Sequence, residues 1–174
     1  MSTSHAVSRT LLLASVLATL LPVAVLRAVG PVTVTVAFSA PVQAKLEQYG
    51  KDEGAGLQAR IETAIVRACE RARAPEGATV AVTVEDIAPT HPTREQLAAD
   101  PSLDPVRTRS LGGADLTGVL RDNRGQVLAT IRHHHYPPTL QWRSPSLEPW
   151  ADASIAIEQF ASQIGKACGR APAS

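Results

Sequence analysis

Aromatic residues are scarce: Phe, Trp and Tyr together make up 3% of the 174 residues. A core built on ring packing is therefore excluded, and the 44% of apolar residues must fill the interior as Ala, Val, Leu and Ile. Charge of one sign is lacking too. Seventeen Lys and Arg face sixteen Asp and Glu, for a formal net charge of +1. No Lys/Arg run forms a stripe along which a phosphate backbone could lie, so a nucleic-acid partner is not expected. Only two cysteines are present, Cys69 and Cys168, which excludes a disulfide-dense scaffold, a cysteine-rich zinc site and a C-x-x-C redox pair. Internal repeats and low-complexity segments are missing as well. The length suits one domain.

What is present begins at the N-terminus. Residues 10–26, TLLLASVLATLLPVAVL, form an uncharged apolar run between Arg9 and Arg27. This is the n-region and h-region pattern of a secretory signal, with a cut after Ala28, although Leu26 stands where a small residue is expected. The competing reading is a retained membrane anchor, which the short run and Pro22 disfavour. The expected organisation is a signal peptide over 1–28 and a single exported domain over 29–174, periplasmic or secreted, with no membrane span after cleavage. In an oxidising compartment two cysteines suggest one Cys69–Cys168 disulfide, the alternative being two separate buried thiols that pack as small hydrophobes.

Along the exported part, PVTVTVAF (31–38) alternates as a strand. Ser39 and Pro41 then resemble an N-cap and first turn for a short helix ending at Gly50. KDEGAG reads as a polar, Gly-rich hinge. A longer helix over 57–73 places Leu57, Ile61, Ala64, Ile65, Ala68 and Ala72 on one face, with Cys69 beside them. ATVAVTVEDI (78–87) is a second strand. Residues 88–110 form a long Pro-rich connection in which Thr93 caps one helical turn, and connections of this length are often functional. ADLTGVLRDNRGQVLATIRHHH reads as two strands around a DNRG turn. Pairing Asp122 with Gly125 sets Leu120 opposite Val127, Leu116 opposite Ile131 and Asp115 beside Arg132; a bulged turn with left-handed Gly125 would slip this by one. The last helix, 149–167, carries Trp150, Ala153, Ile157, Phe160, Ile164 and Cys168 in one stripe, with Gly169 as its stop. The expected fold is α/β (α+β): a small, mainly antiparallel sheet of about four strands with two long helices packed on one face, in the order β-α-α-β-β-β-α.

Three stretches carry a resemblance: FSAPVQAKLEQYG followed by LQARIETAIVRACERA, the hairpin LTGVLRDNRGQVLATI, and the closing WADASIAIEQFASQI. With these the chain resembles small exported bacterial envelope proteins of the domain-of-unknown-function type, many of them lipoproteins. It departs from the lipoproteins in having no Cys to carry a lipid, so membrane tethering does not transfer. The resemblance implies a compact envelope domain and brings no catalytic residue with it.

The chemistry-bearing candidates are few. In IRHHHYPP, strand alternation sends His133 and His135 to one side and His134 to the other, and a His-x-His pair is a usable zinc or copper spacing. A third ligand would have to come from elsewhere, and His91 is the only other histidine beyond the leader. The simpler reading is a partly exposed strand end, with His133 opposite Ala114 and His135 opposite Gly112; a third is a pH-responsive contact, since histidine titrates near neutrality. Alternation separates Glu85 from Asp86, and LGGAD lacks the strand-to-helix setting of a phosphate loop. Trp150 is expected in the core, while Trp142 could be buried or anchor a partner. No catalytic residue and no cofactor are assigned. The reading that follows is a non-enzymatic envelope protein that binds another protein or envelope component through 88–110 and 136–149. The alternative is a metal-binding protein or metal-dependent hydrolase using His133 and His135.

Overall fold

The computed structural model describes residues 32–140 and 145–171. The stretch expected to be a signal peptide and Trp142 lie outside the described residues. Eight elements follow one another: β1 (Thr33–Phe38), α1 (Ala40–Tyr49), α2 (Lys51–Arg71), β2 (Thr79–Ala88), α3 (Arg94–Ala99), β3 (Gly113–Arg121), β4 (Val127–His135) and α4 (Ala151–Arg170). The sheet has four strands in the order β1-β2-β3-β4. β1 pairs with β2 in parallel through the helical crossover, while the other two pairings are antiparallel. The architecture is thus the expected α+β one, with a mostly antiparallel sheet.

One face of the sheet is buried. Val80, Val82 and Val84 on β2 lie opposite Leu120, Gly118 and Leu116 on β3, and all six are inaccessible. Over them lie Leu57, Ile61 and Ile65 of α2 and Ile157, Phe160 and Ile164 of α4, the stripes that the helical periodicity marks out. The Phe160 ring rests directly on Gly118, where an added Cβ would come 2.6 Å from Cζ. This is how a chain with two phenylalanines still closes its core: a missing side chain on the sheet receives the large one on the helix. α2 and α4 run parallel, with Gly165 against Ala68 and Gly169 against Ala72.

The structure departs from the sequence reading in several places. KDEGAG is not a hinge but the first turns of α2, which starts at Lys51. Two glycines cost a helix about 1 kcal/mol each relative to Ala. Asp52 and Glu53 offset this at the dipole's positive end, and Trp150 Nε1 donates to Glu53 Oε2 at 2.5 Å. The chain turns instead at Gly50, whose φ of 130° favours glycine. Ser39 occupies the N-cap position of α1 without capping through its side chain; its hydroxyl donates to the Glu85 carbonyl instead. Gly169 does not stop α4, which continues to Arg170.

The hairpin register is also different. Leu116 pairs with His133, Gly118 with Ile131 and Leu120 with Ala129, two residues further along β4 than the preferred pairing. Gly125 is left-handed at φ 79°, its N–H donates to Asp122 O at 3.0 Å, and a second irregularity follows between Leu120 and Arg121. Each step slips the register by one. Two slips restore the same faces, so the expected sides survive while every partner changes.

Candidate functional site

The connection from β2 to β3 is built, not loose. Its first residues are fastened to the start of α4: Thr90 and His91 donate their backbone N–H groups to Pro149 O at 2.6 and 3.4 Å. The Thr90 hydroxyl donates to Asp152 Oδ2 at 3.0 Å and accepts from the Asp152 backbone N–H at 3.1 Å. Both residues are buried, and the exchange satisfies them without water. Thr93 and Gln96 form a capping box for α3, and the Thr93 hydroxyl donates to Tyr49 O at 2.6 Å. The connection returns past Thr90, where Ser110 N–H donates to Thr90 O at 3.0 Å. Gly112 packs so closely on Thr90 that a Cβ would overlap its hydroxyl and backbone. That close approach gives LGGAD its role: it lets β3 begin directly beneath the connection.

These fastenings enclose a cavity of about 320 Å³, lined by Tyr49, Ala88, Pro89, His91, Pro92, Gln96, Leu103, Thr108, Arg109 and Ser110. His91 is the unusual member. It is 1% exposed, and neither ring nitrogen has a hydrogen-bond partner among the described residues. An imidazole always carries at least one donor, and burying a polar group unpaired costs about 1–3 kcal/mol. Sequence reasoning noted His91 only as a distant third ligand, because an isolated histidine in a Pro-rich stretch carries no signal of burial.

The other two histidines are elsewhere. His133 and His135 share the helix-facing side of β4, their rings stacked 6.4 Å apart and 5° from parallel. They lie opposite Leu116 and Ala114 respectively, not Ala114 and Gly112. Both nitrogens of His133 are engaged: Nε2 donates to Gln159 Oε1 at 3.1 Å, and Nδ1 accepts from Gln163 Nε2 at 2.9 Å. This pattern suits one neutral tautomer. Burial holds the His133 imidazole below its ordinary pKa, against the opposing hydrogen bond to Gln159, with the neighbouring His135 and His134 adding to the lowering. His134, on the other face, lies 3.5 Å from Asp115. Among the described residues no three His, Cys, Asp or Glu side chains converge on a position that could hold a metal ion.

Cys69 and Cys168 are both fully buried, and the structure carries them as free thiols in hydrogen-bonding contact. That hydrogen bond, and burial after it, push the Cys69 thiol far above its ordinary value.

Sequence reading missed a polar cluster at the far end of β2. Asp86 sits just past a bulge and accepts from Lys45 Nζ at 2.5 Å and from the Tyr136 hydroxyl at 3.0 Å. Burial pushes the Asp86 carboxyl up, but the bonds from Lys45 and Tyr136 prevail and hold it below the usual carboxylate value. The bulge carried the missing information, since it breaks the alternation from which the facing of Glu85 and Asp86 was read. Trp150 is buried as expected, edge-on to Tyr49 at 5.5 Å. No helix among the described residues is long and apolar enough to cross a membrane. No protein family, curated protein or solved structure matches the chain.

Proposed function

We propose that this chain is an exported, non-enzymatic binding module of the cell envelope, whose contact surface is the 88–110 connection. The observation that supports it is the buried, unpartnered His91 in the wall of a cavity that the connection itself encloses. A folded chain that keeps such a cost in a well-fastened loop has a use for the unpaired ring nitrogens, and a ligand's polar groups would repay it. The alternative, a metal-binding protein or hydrolase acting through His133 and His135, would first have to free the His133 nitrogens from Gln159 and Gln163. The geometry therefore favours binding at His91.

The test is the stability of His91→Leu in the purified exported chain, followed by urea unfolding without added ligand. Removing an unpaired imidazole in favour of an apolar side chain of similar size should raise stability by about 1–2 kcal/mol. The dialysable fraction of an envelope extract should stabilise the wild type and leave the variant unmoved. A variant less stable than the wild type, with no response of either to the extract, would make His91 a packing residue and overturn the reading.

A further inference from the structure

The cavity has a one-sided chemistry. None of its ten lining residues is an Asp or Glu, while one guanidinium and one imidazole are present. Several of its acceptors are already used. Gln96 Oε1 accepts from Thr93 N–H, which leaves the amide NH₂. Thr108 Oγ1 accepts from the Asp104 N–H. The Ser110 hydroxyl spends its proton on Pro89 O. Arg109 donates Nε–H to Val106 O at 3.0 Å, which leaves its two terminal NH₂ groups. What remains on offer is mostly donors: the Arg109 fork, the Gln96 amide and, buried in the wall behind them, the unpaired imidazole of His91. The rest of the lining is apolar, from Pro89, Pro92, Leu103 and the Tyr49 ring.

Such a lining asks for an acceptor-rich head on an apolar body. We propose that the His91 cavity takes a carboxylate, on a small molecule or chain end with a short apolar side group, with Arg109 and His91 as its binding residues. This rests on the binding reading above and narrows it to a ligand class. A single exposed guanidinium in a lining without a carboxylate matches one negative charge, and its planar fork fits the two carboxylate oxygens.

The experiment follows the His91 ring signals by NMR in the exported chain, assigned with His91→Leu, during titration with N-acetyl-leucine, its amide and the tripeptide Gly-Gly-Leu. The acid should shift the signals saturably, and the amide should bind at least about tenfold more weakly, since the charge-assisted bonds are lost. Arg109→Gln should weaken the acid by about the same factor and leave the amide unchanged. Tripeptide binding equal to that of the acid would assign the source as a chain end; weaker binding would assign it as free small acids. Equal binding of acid and amide, or no binding of any probe with His91→Leu still stabilised, would overturn the carboxylate proposal and leave the binding module standing. No binding with a destabilised His91→Leu would remove both.

Discussion

The Trp150 indole N–H donates to the Glu53 carboxylate at 2.5 Å, which joins the start of α4 to the first turn of α2 across 97 positions of sequence. The same indole meets the Tyr49 ring edge-on, so one side chain pins the end of α1, the beginning of α2 and the beginning of α4. Glu53→Ala should lower stability by about 1.5–3 kcal/mol, the usual worth of a hydrogen bond to a charged group, and Glu53→Gln by less because an acceptor remains. Urea midpoints of the three proteins decide it. Equal midpoints for wild type and Glu53→Ala would show that α2 starts at Lys51 for another reason.

That contact also explains what could be read in advance. Strand alternation and the stripes of α2 and α4 depend on local periodicity, so the elements, their order and the buried side were legible. The helical state of KDEGAG was not, because its glycines argue against a helix and the contact that ties its first turn down comes from a tryptophan far along the chain. The hairpin was legible as to faces and not as to register: a shift of two residues leaves every apolar side chain on the same side, so Leu116 gains His133 in place of Ile131 at no cost to the pattern. His91 was illegible as a site. Its burial arises from Thr90 reaching Asp152 and Gly112 passing under Thr90, contacts that no spacing encodes.

A pH dependence follows from His133. Its folded-state pKa is lowered, so the folded chain binds this proton less readily than the unfolded one. The stabilisation is fully present above the unfolded imidazole value of about 6.5 and is lost as pH falls below it, when protonated Nδ1 can no longer accept from Gln163. Urea midpoints between pH 8 and pH 5 should fall more for the wild type than for His133→Gln. Parallel curves would mean that the amide clamp does not select the neutral ring.

The two cysteines predict a covalent outcome. With both thiols in contact, and if the chain is exported as proposed, oxidation during folding by a disulfide-bonded oxidoreductase would move two electrons and two protons to that enzyme and join Cys69 to Cys168. The intact mass of unreduced exported protein should be two hydrogens light. Reduction should then cost up to about 4–5 kcal/mol for a loop of this size. Alkylation of both sulfurs in denatured, unreduced protein would sink the prediction.

The parallel run of α2 and α4 has an electrical consequence for that pair. Asp52 and Glu53 sit in the first turn of α2 and Asp152 in that of α4, while Arg71 and Arg170 occupy the last turns. The two helix dipoles therefore lie side by side with like poles together, each pole offset by charge of the opposite sign. Cys69 and Cys168 stand near the negative poles; the Cys69 thiol is pushed up and held neutral, while the hydrogen bond with Cys69 holds the Cys168 thiol below its ordinary value. Thiol–disulfide exchange needs an accessible thiolate, and both sulfurs are fully buried, so exchange at this seam is slow once the chain has folded. Whichever form the pair acquires while the chain folds is the form the folded chain keeps.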